Sequence, residues 1–428
     1  MTARALALPG RQQELKAQAS RCRACGAVGL QGLLDYGLMP ASDGFLSAGD
    51  LALPEPCYPL ELALCPGCGL VQILETVAPE TLFGAGYLYC SSVSASWLVQ
   101  ARANAEALID RCQLGPQSSV VEIASNDGYL LQFFEAAGVP VLGIDPAPIP
   151  VAAAQRKGIP TLQRFFGSAL ARELVAGGLR ADVLIANNVL AHIADIHDVL
   201  CGARELLAPA GILVIEVPYL PDLVAGCAFD TVYHEHLCYF SLHSLQALLS
   251  AHGLHVNDLE FLPSHGGSLR LYVSPETGFT ATVTSCLDRE REAGVQRVDY
   301  YRAFARQALR RVAELGALLN DIASSGKTIA AYGAAAKGTI LLNALGPAAA
   351  HIAFVVDRNP AKQGRWVPGV RLPVLGVETI ARQQPDYLLL LPWNIAPEIE
   401  QQQTAYLERG GRIIVPLPDL RIIDGVSI

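Results

Sequence analysis

No run of lysine or arginine occurs anywhere in the 428 residues, and charged side chains make up only 17% of the chain. With a formal net charge of −9, the chain lacks the basic surface that general nucleic-acid binding requires. The opening Met1-Thr2-Ala3-Arg4 leads into no apolar signal core, and no stretch is long and apolar enough to span a bilayer. The expectation is a cytoplasmic protein with neither a membrane nor a nucleic-acid partner. Three signatures are also missing: Gly-x-Gly-x-x-Gly behind the first strong strand, the Walker Gly-x-x-x-x-Gly-Lys-Ser/Thr, and His-Glu-x-x-His. Their absence removes an obvious dinucleotide pyrophosphate site, a P-loop and a zincin helix. What is present is apolar: 51% of residues are hydrophobic, enough for sizeable cores, and the length suits two or three domains. Eleven cysteines in a reducing compartment argue against a disulfide framework and call for another explanation.

Two knuckles, Cys22-Arg23-Ala24-Cys25-Gly26 and Cys65-Pro66-Gly67-Cys68-Gly69, account for four of them. Four thiolates so spaced suit one tetrahedral Zn²⁺, and the glycines permit the turn that aims backbone N–H groups at sulfur. The alternative is two redox or incidental pairs; the matched spacing favours zinc. No open coordination position is suggested, so the metal is expected to hold the fold rather than do chemistry. The segment between the knuckles is longer than in a compact zinc ribbon and is expected to carry structure of its own.

The chain is organised around residues 119–134. Val120 to Ile123 reads as a buried strand, Ser125 to Gly128 as a tight polar turn, and Leu130 to Phe134 as the start of a helix. Strand, turn and helix in that order open a doubly wound α/β nucleotide site. The next strand ends in Asp145, whose carboxylate suits a ribose diol, and a third ends in Asn187-Asn188 at the same edge. Acids closing the first two strands are the pattern of S-adenosylmethionine (SAM) methyltransferases; any α/β domain with an Asp in a turn is the alternative. Glu122, Ser125, Asn126, Asp127, Gly128, Asp145, Asn187 and Asn188 are the expected cofactor residues.

Ahead of this unit, the hydroxyl-rich stretch from Tyr87 to Ser94 reads as a loop, an ordinary linker before a cover for the cofactor. Trp97 to Leu108 has helical spacing. His192 is expected to orient or pack rather than catalyse, and Ala208-Pro209-Ala210-Gly211 to form a turn between helix and strand. Residues 229–241 crowd His234, Glu235, His236 and two tyrosines into one segment. A histidine there is a natural base for a proton beside a carbonyl; a satisfied polar cluster is the alternative. Gly266-Gly267 lets backbone approach closely, residues 287–325 read as one long helix, and Thr328 to Thr339 starts a second strand–turn–helix unit whose Lys337 favours an anionic group.

Taken together, these motifs resemble the deoxysugar C-methyltransferases that act on nucleotide-linked keto-sugars in antibiotic pathways. The resemblance rests on the paired knuckles, Glu122-Ile123-Ala124-Ser125-Asn126-Asp127-Gly128, Glu235-His236 with its following aromatics, His265-Gly266-Gly267 and Tyr332-Gly333-Ala334-Ala335-Ala336-Lys337, in that order over nearly the whole chain. It implies an α/β protein with a zinc-binding module (1–85), a central Rossmann-like class I SAM methyltransferase domain (86–260) and a C-terminal Rossmann-like substrate domain (261–428). It further implies His236 as base with Glu235 and Tyr89 in support, and Tyr87, His265, Gly266, Gly267, Tyr332 and Lys337 on a nucleotide-linked sugar. Two residues depart from the pattern: Ala124 replaces a glycine, and Cys90 stands where a histidine follows the Tyr-x-Tyr of a covering loop. SAM used for other chemistry, or on a non-sugar natural product, is the alternative; a non-catalytic scaffold fits less well with an intact Glu235-His236.

Overall fold

A computed structural model describes residues 6–82, 90–93 and 95–425, apart from the side chains of 95, 96 and 265. Three sheets organise them. The N-terminal sheet contains the antiparallel strands Gln31–Pro40, Cys57–Leu64 and Val71–Ile73, so the segment between the knuckles does carry its own structure. Its fourth strand, Cys238–Tyr239, comes from far along the chain and pairs Val71 with Tyr239 and Gln72 with Cys238. The residues that follow Glu235-His236 are therefore sewn onto the zinc module.

The central sheet has seven strands in the spatial order 255–262, 268–274, 207–218, 181–187, 120–123, 141–144, 161–162. All run parallel except Ser268–Ser274, which lies antiparallel between its two neighbours. The strands His255–Leu262 and Ser268–Ser274 form a hairpin at one edge of the sheet, and residues 260 and 261 lie within it. From Val120–Ile123 the chain winds outward one way, then returns to build the other side from Ala181–Asn187. That reversal leaves a crevice at the carboxyl ends of the two strands, where doubly wound sheets hold ligands. The expected turn at residues 208–211 is absorbed into the strand Leu207–Pro218 as an irregularity, the register passing from Ala181/Leu207 to Val183/Ile212.

The third sheet repeats the plan: 374–376, 352–357, 329–332, 387–390, 412–415 and 421–424, parallel but for the last. The long helix read over 287–325 is two helices, Ala281–Ala293 and Val298–Ser324. Gly294 at φ 76° ends the first, a left-handed cap that glycine adopts without strain. Leu315 and Leu319 on the second are buried. Among the described residues no helix is long and apolar enough to cross a membrane.

Candidate active site

The four cysteines converge as their spacing implies. The sulfurs of Cys22, Cys25, Cys65 and Cys68 all lie within 4.8 Å of one another. Gly26 and Gly69 adopt φ of 71° and 74° and donate their N–H groups to the carbonyls of Cys22 and Cys65, closing each knuckle. Four thiol ligands, with no fifth group among the described residues, fit a closed structural zinc site. None of them lines the large cavity described next.

That cavity, about 1220 Å³, opens where the three sheets meet. One wall is the crevice of the central sheet. Its turn is unusually tight: Ala124, Asn126 and Gly128 take φ of 56°, 51° and 74°. Asp145 stabilises this shape by accepting from the Asn126 N–H at 2.9 Å and the Ala147 N–H at 2.8 Å. Asn126, Asp145, Asn187 and Asn188 line the cavity, with Ala124 and Tyr129 beside them. The side-chain Oδ1 atoms of Asn187 and Asn188 have no hydrogen-bond partner among the described residues.

The other four expected cofactor residues do not line it. Glu122 is buried, and burial together with the Asp145 carboxylate pushes its pKa well above the usual range. Ser125 is fully buried against Gly143, where any Cβ would collide with its Oγ. Asp127 pairs with Lys157 at 3.2 Å and accepts from the Ser92 hydroxyl. Gly128 packs on Ile159. These four build the turn from behind.

Ser92 belongs to the hydroxyl-rich stretch, whose described end is clamped to the turn. The Ser91 N–H donates to Asn126 Oδ1 at 2.9 Å, and Cys90, Ser91 and Val93 line the cavity. Tyr87 and Tyr89 lie outside the described residues.

A second wall carries Glu235 and His236. His236 Nδ1 lies 3.0 Å from the Thr231 carbonyl, which can only accept. The proton of the neutral ring is thereby assigned to Nδ1, leaving Nε2 as the basic nitrogen, 3.1 Å from the Tyr233 hydroxyl. Tyr233 also stacks on the ring at 4.1 Å between centroids. His192 enters from the central sheet: its Nδ1 sits 2.6 Å from the Glu235 carbonyl and its ring centroid 4.8 Å from that of His236. His192 thus both orients this segment and lines the cavity. His234 does neither; it is fully buried, with Nε2 3.1 Å from the Pro59 carbonyl and Tyr58 against its ring. Glu235 receives the Asp43 N–H at 3.3 Å on Oε1, while Oε2 has no partner among the described residues. Burial, helped by the Asp43 carboxylate, raises its pKa to about 7.

The third wall comes from the C-terminal sheet. Asp357 repeats the Asp145 arrangement, accepting from the Ala334 N–H at 2.6 Å and the Asn359 N–H at 2.7 Å. Tyr332 donates to Gln402 at 3.0 Å, and Lys337 donates to Asn394 at 2.7 Å while lying over the Trp393 ring. Arg358 and Lys362 add positive charge. Gly266 and Gly267 complete this wall, and a Cβ on Gly267, at φ 124°, would strike Asp222. His265 lies in the turn Ser264–Gly266 before them. Sequence reasoning missed Asp43, Asp357, Arg358, Lys362 and Trp393. Asp357 had a signal, since it ends the strand after the second turn as Asp145 ends the strand after the first; Asp43 had none.

Three protein-family models match in succession: "Putative zinc binding domain" over residues 22–83, "Methyltransferase domain" over 97–259 and "C-methyltransferase C-terminal domain" over 263–418. The C-methyltransferase NovU of Streptomyces niveus is 36% identical over 418 residues, covering 97% of this chain and 99% of that one. A ubiquinone biosynthesis O-methyltransferase of Azorhizobium caulinodans is 31% identical over 97 residues, 22% of this chain and 38% of that enzyme. The solved glycopeptide N-methyltransferase MtfA with bound SAM aligns at a TM-score of 0.32 and 14% identity, over 40% of this chain and 93% of that one. By its full-length match to NovU and its three successive domains, the chain belongs to the SAM-dependent C-methyltransferase family.

Proposed function

We propose that the chain methylates a carbon beside the ketone of a nucleotide-diphosphate-linked deoxysugar, in the biosynthesis of a secondary metabolite such as an antibiotic. The observation that carries this reading is His236, whose basic Nε2 belongs to the same cavity as the Asp145 strand tip. Asn126, Asp145, Asn187 and Asn188 would hold SAM, whose sulfonium would make its methyl group electrophilic. The remaining work falls to the protein. A hydrogen beside a ketone is weakly acidic, and His236 Nε2 removes it, leaving an electron pair shared between carbon and the ketone oxygen. Glu235, titrating near neutrality, holds a proton on Oε2 below about pH 7 and can donate it as a hydrogen bond to a sugar oxygen. Tyr89 is assigned to the same task. Tyr332, Lys337, Arg358 and Lys362 suit the diphosphate, and Gly266 and Gly267 let the substrate lie against backbone, with His265 beside them. Holding the two reacting carbons in line is the main contribution of such a site.

The test has two arms. Incubation with SAM and a panel of nucleotide keto-sugars should give a product heavier by one methyl group on carbon; methylation confined to oxygen or to non-sugar compounds would overturn the substrate assignment. In deuterated water without SAM, the wild type should exchange the hydrogen beside the ketone. His236→Ala should slow that exchange, and turnover, by roughly 10²–10⁴-fold while binding SAM normally. Exchange at the wild-type rate in the variant would remove His236 from the role of base.

A further inference from the structure

A second cluster of reactive side chains lies at the other edge of the central sheet. Arg180 immediately precedes the strand Ala181–Asn187, whose far end reaches the large cavity. Around Arg180 is a separate surface cavity of about 500 Å³, lined also by Cys201, Arg204, Glu205, Ala251 and His252. None of these residues lines the large cavity. His197 and Cys201 stand one turn apart on the helix Ile196–Leu206, and His252 follows the helix Leu242–Ser250. The Cys201 sulfur is 3.5 Å from His252 Nδ1, and His252 Nε2 is 2.7 Å from His197 Nδ1.

Contact between two ring nitrogens at that distance needs one proton between them. If His252 Nε2 carries it, Nδ1 is left open to take the thiol proton. If His197 carries it, the neutral His252 has its own proton on Nδ1, where it donates to sulfur. The first arrangement makes the ring a base toward the thiol, the arrangement that activates a thiol as a nucleophile; in the second the ring can only donate to sulfur. Burial and the facing His197 hold His252 below its ordinary pKa, so a neutral ring faces the thiol. Cys201 itself is exposed. Glu205 faces Arg172 at 3.8 Å, and Arg180 donates to the backbone carbonyls of Glu205 and Leu207. Arg204 makes no ion pair among the described residues, leaving net positive charge at the rim.

We propose that Cys201 is a modification site, activated by His252 and oriented through His197, that takes up small disulfides bearing carboxylates. The Cys201 thiolate attacks one sulfur of the disulfide. A new S–S bond forms at Cys201, the reagent's own S–S bond breaks, and the departing thiolate takes the proton from His252. The protein thiol is oxidised by the two electrons that reduce the disulfide. The group so attached sits on the helix whose first turn, through Asp198 and Val199, lines the large cavity.

The full-length protein would be incubated at pH 7 with oxidised glutathione and, separately, with the uncharged bis(2-hydroxyethyl) disulfide. Peptide mass spectrometry then gives a rate for each cysteine. Native Cys201 should react at least about ten-fold faster than the same thiol in the urea-unfolded chain. The folded His252→Gln variant should lose that advantage. Arg204→Ala should slow oxidised glutathione more than the uncharged reagent. A native rate no higher than that of the unfolded chain overturns the proposal even if His252→Gln fails to fold, as does an unchanged rate in a folded His252→Gln. Equal slowing of both reagents by Arg204→Ala overturns the preference for carboxylates.

Discussion

Ala124 takes the left-handed φ of 56° at the mouth of the cofactor crevice, a conformation that costs a residue with a Cβ roughly 1–2 kcal/mol. Glycine would relieve that strain but would raise the entropy of the unfolded chain by about 0.4–1 kcal/mol. Ala124→Gly should therefore stabilise the ligand-free protein by a net of about 0.5–1 kcal/mol, read from urea unfolding; destabilisation would mean the methyl group contributes packing that outweighs the strain. Glu235 offers a second test at this scale. The folded state keeps its proton up to about pH 7, whereas an unperturbed glutamate releases it near 4.5. Between those values the folded state binds more protons than the unfolded one, so stability falls as pH rises. Glu235→Gln should flatten this slope and gain on the order of 3 kcal/mol above pH 7, measured by urea titrations across the range. An unchanged slope would show that Glu235 is ionised throughout.

Among the elements, the two strand tips ending in Asp145 and Asp357 hold neighbouring turns through the same pair of backbone N–H contacts. Their ligands are expected to differ, because the Asp145 tip is framed by amides and the Asp357 tip by Arg358 and Lys362. Asp145→Ala should weaken SAM binding by roughly 1.5–3 kcal/mol, the range for a charged hydrogen bond. Asp357→Ala should leave SAM affinity unchanged and weaken the nucleotide-linked substrate instead. Calorimetry with each ligand separates the two; equal losses of SAM affinity in both variants would mean that the tips act as one site.

Across the whole molecule, the segment proposed to carry catalysis is shared between units. Cys238–Tyr239 completes the zinc sheet, the Ile73 N–H donates to the Leu237 carbonyl, and the Trp393 indole donates to the buried Asp230 at 2.7 Å. Metal removal should therefore reach His236 although no cysteine ligand lines the cavity. Chelation is expected to raise amide hydrogen exchange at residues 237–239 and to abolish turnover while the central sheet still binds SAM. Full activity in protein shown to be metal-free would break this link between zinc and catalysis.

The sequence by itself determined what lies within a few residues along the chain. The knuckles, the turn from Ser125 to Gly128, Asp145 after the second strand and the Glu235-His236 pair depend on local spacing and backbone preference, and they could be read directly. The single long helix is interrupted at residues 294–297, a four-residue break that helical spacing on both sides masks. What the tertiary structure alone decided involves partners far apart in sequence. Ser125 and Asp127 turn away from the cavity because Gly143 receives the first, and Lys157 and Ser92 the second, from behind. Asp43 meets Glu235, and His192 meets His236, across sheets whose closure no local pattern encodes. A motif names a turn, but which of its side chains faces the ligand depends on what packs behind it.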